Sequence, residues 1–291
     1  MADRPRFGPA GTPPAFKALK HPVFDMPQYL REEGLDAFEY QASRWGPKPQ
    51  MKKEDAEKLG ANAKKNDVWL TVHGSYFINL CAEGETLEAS KRRFIACATA
   101  AEWMDAHVVV FHPGFYGKRR QTEVFRGCLE ALREVVEAMN TLGIKKVKIG
   151  AATMGKPSQL GSLDEILGLC EEVEQTQLVI DWGHLHARDR GRFNTVEDYR
   201  KVVEETERRL GTEAVKNVHC HFTKIEFTDK GERRHHMIDE EDYGPDFRML
   251  AKVIAEFKLA PTIISETPII DLDAIKMRDI LQKELKHWSV T

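Results

Sequence analysis

Short β-like runs alternate with longer helical patterns along almost the whole chain, and no other feature restricts its fold so tightly. The runs Leu35–Tyr40, Val68–His73, His107–His112, Val147–Ala152, Gln177–Asp181, Asn217–Phe222 and Pro261–Glu266 read as strands, and the segment around Pro5–Gly8 can supply an eighth. Helical periodicity covers Thr86–Ala106, Glu123–Leu142, Ser162–Glu174, Thr195–Leu210, Phe247–Phe257 and Leu272–Lys286. Two of these open on capping signals, Ser162 with Glu165 and Thr195 ahead of Glu197 and Asp198. Strict alternation implies parallel strands joined by helical crossovers. About eight such units without a Pro/Gly-rich linker predict a single (β/α)8 TIM barrel as one domain over residues 1–291, with an open doubly wound sheet as the alternative.

The 291 residues accommodate a barrel of about 250 comfortably. Hydrophobic residues make up 42% and charged residues 31%, enough apolar material for a large core and a composition that argues against disorder. Apolar runs such as Val108–Phe111 fall far short of the roughly 20 residues of a membrane span. The N-terminal Met-Ala-Asp-Arg-Pro-Arg-Phe-Gly lacks the apolar core of a secretory leader, so a cytoplasmic, nucleoid-associated monomer without a membrane partner is expected. The five cysteines form no Cys-x-x-Cys pair, and Cys97, Cys128 and Cys170 fall in helical patterns as small hydrophobes. The net charge of −3 lacks the global basic footprint of non-specific nucleic-acid binders, although a local basic rim is compatible with it.

Acidic and imidazole side chains gather at the C-terminal ends of the expected strands. His73, His112, Asp181 and Glu266 end their runs, His184 follows Asp181 by three residues, and His219 lies inside its run. A barrel builds its active site on that rim, so these residues converge there. One strand-end histidine is ordinarily a packing residue; six such groups on one rim make a metal site. Nitrogen and oxygen donors without thiolate suit zinc, manganese or iron, and the histidines favour Zn2+ with Mn2+ as the substitute. His107 begins its strand and faces the opposite end, while His21 and His287 lie outside the strands. His219 and His221 point the same way, so only one need be a ligand, and His221 could support it from behind.

The segments His73-Gly-Ser-Tyr-Phe-Ile-Asn-Leu80, Phe111-His-Pro-Gly114, Ile180-Asp-Trp-Gly-His184, His219-Cys-His-Phe-Thr-Lys224, Gly231-Glu-Arg-Arg-His235 and Ser265-Glu-Thr-Pro268 together resemble the ordered motif series of the endonuclease IV family. The series runs from about residue 35 to 285 and is most similar to the archaeal branch of these zinc-dependent apurinic/apyrimidinic endonucleases. The resemblance implies a TIM barrel with a trinuclear zinc site: His73 and His112 at one metal, Asp181, His219 and Glu266 at a second, His184 and His235 at a third. Clustered divalent cations neutralise a phosphate and acidify water for in-line displacement. The implied partner is double-stranded DNA carrying an abasic or damaged site, nicked on the 5′ side of the abasic sugar. Tyr76 matches the family's duplex-penetrating tyrosine, and Lys156, Arg188, Arg190 and Lys224 are rim cations expected to meet DNA phosphates.

Two positions depart from that pattern. The family carries a metal-bridging glutamate ahead of a segment like Thr153-Met-Gly-Lys156; here Ala152 takes its place, or Ala151 under a one-residue shift. A methyl group cannot ligate a cation, which is the pattern expected of an impaired or inactivated enzyme. At the third metal the bacterial motif reads Asp-x-His, whereas Arg233 stands two before His235. Glu232 is the nearest carboxylate and either replaces the ligand or is a loop-surface residue; Asp229 is a weaker substitute. Two or three ions are therefore expected. The competing functions are a divalent-metal sugar isomerase or epimerase of the xylose-isomerase-like type, which leans on carboxylates more than histidines, and a non-catalytic binder of damaged DNA.

Overall fold

The structure, a computed structural model, describes residues 4–288; residues 1–3, part of the N-terminal stretch read for a leader, lie outside them. Every expected strand is present: β1 (Arg6–Pro9), β2 (Ala37–Gln41), β3 (Trp69–His73), β4 (Val108–Phe111), β5 (Lys148–Ala152), β6 (Thr176–Asp181), β7 (His219–Phe222) and β8 (Thr262–Ser265). Their order is β1-β8-β7-β6-β5-β4-β3-β2, with each neighbouring pair parallel. The two edges meet through a parallel bridge between Ala10 and Glu39, with Gly11 N donating to Glu39 O at 2.9 Å and Asp36 N to Phe7 O at 3.0 Å. The sheet is thus a (β/α)8 barrel rather than an open sheet. Close approach at this seam needs glycine: a Cβ on Gly8 would stand 1.7 Å from the Ala37 carbonyl oxygen.

Strand alternation sorts the side chains. Val109, Phe111, Ile149, Ala151, Ile180 and Ile263 join the apolar layer under the helices, whereas Val108, Val110, Ala152 and Val179 form a separate cluster inside the barrel. Ala152, not Ala151, therefore faces the interior at the end of β5. The crossover helices lie where periodicity places them, for example Gly84–Trp103, Gln121–Thr141 and Val196–Leu210. Leu163–Glu172 starts on a reciprocal cap, with Ser162 Oγ accepting from Glu165 N and Glu165 Oε2 accepting from Ser162 N. Sequence periodicity did not disclose the shorter helices, nor an antiparallel hairpin above the rim, Lys224–Thr228 with Gly231–His236. Among the described residues no helix is long and apolar enough to cross a membrane, and all five cysteines are free thiols.

The N-terminal end of the barrel carries a stack of rings. The rings of Trp69 and His107 stack at 3.2 Å, and the Arg6 guanidinium lies 5.4 Å from the Trp69 ring centre. Arg6 is held there by the Asp67 carbonyl and carboxylate, each at 2.9 Å. Burial pushes the His107 pKa down to about 4, so the stack is uncharged at neutral pH.

Candidate metal centre

The junction of β6 with the helix Trp182–Arg188 fixes two of the expected residues together. Asp181 caps that helix, its Oδ1 accepting from His184 N at 2.7 Å, which brings the His184 side chain back over the rim one turn later. The Asp-x-x-His spacing is therefore a helix cap whose second carboxylate oxygen, Oδ2, lies 3.1 Å from His184 Nδ1 and 3.9 Å from His221 Nδ1.

Backbone carbonyls decide which nitrogen most of the imidazoles present. A carbonyl only accepts, so a ring nitrogen bonded to one must carry the proton. His73 Nδ1 donates to Gly74 O at 3.0 Å, His184 Nδ1 to Thr153 O at 3.0 Å and His235 Nδ1 to Glu266 O at 2.8 Å. All three rings consequently turn Nε2 toward the space they share. Ring centres lie 5.0 Å apart for His73 and His112, 5.8 Å for His112 and His184, 5.9 Å for His73 and His221, and 6.3 Å for His184 and His235.

The register of β6 against β7 distinguishes the two histidines of β7. Asp181 pairs with His221, whereas His219 pairs with Val179 one layer deeper. His221 Nδ1 stands 3.0 Å from Glu266 Oε1 and 3.9 Å from Asp181 Oδ2. His219, expected to hold a metal with Asp181 and Glu266, instead points its Nε2 at Glu39 Oε2, 3.1 Å away. The rim set thus contains His221 in its place, because two residues along a strand shift a side chain a full layer toward the barrel floor. Asp181, His221 and Glu266 each offer a ligand atom within 4.8 Å of one another, as do Glu39, His219 and His221.

Sequence reasoning missed Glu39. This fully buried carboxylate on β2 accepts from His219 and His221 and, at 3.1 Å, from Thr71 Oγ1. Its signal was the alternation in Ala-Phe-Glu-Tyr-Gln, which turns an acid inward between two outward aromatics.

Hairpin residues complete the ring. Glu232 Oε2 lies 3.3 Å from His184 Nε2, so the expected replacement carboxylate does reach the site. It arrives over Gly155, where a Cβ would stand 1.9 Å from Glu232 Oε2. Arg233 turns outward to Glu226 at 2.6 Å, and the exposed Asp229 pairs with Arg190 at 4.0 Å, away from the histidines.

The fit of this donor set to a cation shows in its unsatisfied atoms. Asp181 Oδ2, His221 Nδ1 and Glu232 Oε2 are buried and make no well-aligned hydrogen bond, each meeting only an ion-pair neighbour, His184 Nδ1 at 3.1 Å, Glu266 Oε1 at 3.0 Å and His184 Nε2 at 3.3 Å. Electrostatics agree. Burial opposes charge on His221, yet Glu39 and Glu266 outweigh it and hold its pKa well above the ordinary histidine range. Burial likewise opposes charge on His184, and Asp181 and Glu232 raise its pKa nonetheless. His112 moves the other way, pushed well down by burial and then by the His73 and His184 charges. Glu266 is held well below the usual carboxylate range, the His221 charge overcoming burial.

The expected DNA-facing residues divide. Tyr76 is 60% exposed on the loop after β3, its ring 5.2 Å from His73 and 6.0 Å from His112. Phe77 and Phe115, exposed on the loops after β3 and β4, add aromatic surface that sequence reasoning did not single out. Lys156 is half-exposed and lies 3.5 Å from Glu232 Oε1. Arg188 and Lys224 are not rim cations. Arg188 donates to the carbonyls of Lys156 at 2.8 Å and Gln159 at 3.0 Å, tying down the loop after β5, and buried Lys224 donates to Glu240 O at 2.7 Å. Both were read as surface charges because nothing in a sequence shows which carbonyls a cation will meet.

A family model described as a xylose isomerase-like TIM barrel matches residues 27–289. The chain belongs to that family. An uncharacterized protein of Methanocaldococcus jannaschii is 32% identical over 274 residues, 92% of this chain and 94% of its own. A probable endonuclease 4 of Shouchella clausii is 27% identical over 225 residues, 74% of this chain and 73% of its own. Of solved structures, endonuclease IV from Thermus thermophilus superposes with a TM-score of 0.67 at 20% identity, covering 91% of this chain and 94% of that one. A D-tagatose 3-epimerase-like protein gives a TM-score of 0.64, also at 20% identity, covering 90% and 92%. These two likenesses are of fold alone.

Proposed function

We propose that the chain is a zinc-dependent phosphodiesterase of the endonuclease IV type, acting on double-stranded DNA 5′ to an abasic site and impaired by the alanine at the end of β5. The observation that carries it is the donor set itself, in which His73, His112, His184, His221 and His235 converge with Asp181, Glu232 and Glu266. So histidine-rich a ring suits zinc and polarised phosphate better than the carboxylate-led sites of sugar isomerases. Relatives called probable endonuclease 4 support the same reading. When bound, two or three divalent cations supply positive charge for the phosphate and acidify a water. Asp181, His221 and Glu266 would hold one ion; His184, Glu232 and His235 a second; His73 and His112 the next. Tyr76, Phe77 and Phe115 would offer rings to unstacked bases beside the lesion. Glu232 contributes a carboxylate above the strand whose own end carries Ala152.

The test is incision of a duplex with one abasic site, with added zinc, by this chain and by Ala152→Glu. Even partners outside the metal shell are worth about 10- to 100-fold, so the restored carboxylate is expected to speed nicking by at least about tenfold. No nick and no binding by either form, with epimerisation of a free ketose instead, would transfer the chain to the sugar-epimerase class.

Zinc affinity is also expected to tighten with rising pH. His221 and His184 hold protons above the ordinary histidine range in the ion-free site, and zinc must displace them. Each displaced proton makes affinity climb about tenfold per pH unit until the group titrates by itself. Chelator competition between about pH 6 and about pH 8, the span of ordinary histidine titration, should show this rise, and a flat profile would contradict it.

A further inference from the structure

His73, His184 and His235 take their orientation from backbone carbonyls, but His221 is turned the other way round. Its Nε2 lies 3.1 Å from Glu39 Oε2 and its Nδ1 faces Glu266 and Asp181. A carboxylate sealed inside the barrel with full burial must stay charged or lose its partners, and Glu39 is surrounded by donors. Thr71 Oγ1 and His219 Nε2, each at 3.1 Å, complete its shell beside His221, and Gln41 Nε2 donates to its other oxygen at 3.3 Å. An ionised carboxylate accepts only, so both β7 imidazoles must present Nε2–H to it. His221 is then left with its Nδ1 facing two further carboxylates, Glu266 at 3.0 Å and Asp181 at 3.9 Å, where a divalent cation can take the place of the Nδ1 proton.

We propose that Glu39 is a positioning residue of this centre: by accepting the His221 Nε2–H it fixes that ring with Nδ1 toward Asp181 and Glu266, and so sets the affinity of the rim for a divalent cation. This rests on the reading of the rim as a metal site. His219 shares the task from below, holding Glu39 in place without reaching the rim. A buried carboxylate behind a ligating imidazole both locks its tautomer and raises its basicity, and removing such a partner weakens metal binding about 10- to 100-fold.

The test uses zinc alone as probe. Zinc affinity by chelator competition and zinc content at saturation are compared for the wild type, Glu39→Gln and Glu39→Leu. The histidine tautomers of the zinc-loaded wild type are read by long-range 15N NMR, with His221 identified by its loss in His221→Asn. The expected result is a drop of at least about tenfold in affinity for Glu39→Gln, a larger drop for Glu39→Leu, and a wild-type His221 protonated at Nε2 with zinc at Nδ1. Equal affinities in folded variants would overturn the proposal. So would a wild-type His221 protonated at Nδ1 with zinc at Nε2, which would move the ion down to Glu39 and His219. Should the variants not fold, the wild-type tautomer alone decides. A wild type that takes up no zinc overturns the metal reading as well, whereas uptake that ignores Glu39 overturns only this step.

Discussion

Asp181→Asn is expected to lower zinc affinity by at least about 100-fold, since Asp181 is a direct donor and even outer partners are worth about 10- to 100-fold. The substitution isolates charge from fold. Asparagine is as good a helix cap as aspartate, so the bond from His184 N survives and the helix Trp182–Arg188 should stay in place. What disappears is the anionic oxygen Oδ2, buried between His184 Nδ1 at 3.1 Å and His221 Nδ1 at 3.9 Å. Zinc at 100 times its dissociation constant stabilises a folded protein by about 2.7 kcal/mol, and a 100-fold weaker site loses nearly all of that. In a thermal melt this corresponds to roughly 5 °C of zinc-induced shift in the wild type and almost none in the variant. A variant whose melting temperature still climbs with zinc as the wild type's does would remove Asp181 from the centre.

Gly8→Ala carries the largest expected effect on folding. The new methyl would meet a backbone oxygen, not the end of a flexible side chain, 1.7 Å away at the seam where β1 closes on β2. Relief requires the strands to part and the bonds between Gly11 N and Glu39 O and between Asp36 N and Phe7 O to lengthen. A loss of about 4 kcal/mol or more is expected, the range reserved for overpacking that the structure cannot absorb. Gly127→Ala is the natural control, because nothing lies within 4 Å of its would-be Cβ on the exposed face of Gln121–Thr141. There alanine should add about 0.5–1 kcal/mol through helix propensity alone. Urea unfolding of both variants reads the difference, and a Gly8→Ala protein within about 1 kcal/mol of wild type, an ordinary surface-scale change, would show that the seam is not close-packed.

Much of this was legible in the sequence because two periodicities coincide there. Strands with apolar residues on both faces read as short dense runs, and the chemistry sits where those runs stop, which is how His73, His112, Asp181 and Glu266 were found. Depth inside the barrel was not legible. His219 and His221 share a face, and only the register pairing Asp181 with His221 says which of them lies at the rim. Glu39 escaped for the complementary reason, since its partners come from strands about 180 residues further on. The hairpin that delivers Glu232 and His235 is polar and carries a bulge between Glu226 and Phe227, so it shows no alternation a sequence could display. Charge told least: Arg188 and Lys224 look like surface cations in a string of letters and are instead bound by carbonyls.

The stack of Trp69, His107 and Arg6 lies at the end of the barrel opposite the histidine cluster. At the histidine end the mouth is flanked by the exposed rings of Tyr76, Phe77 and Phe115. A bulky occupant of that mouth therefore stands over the histidines.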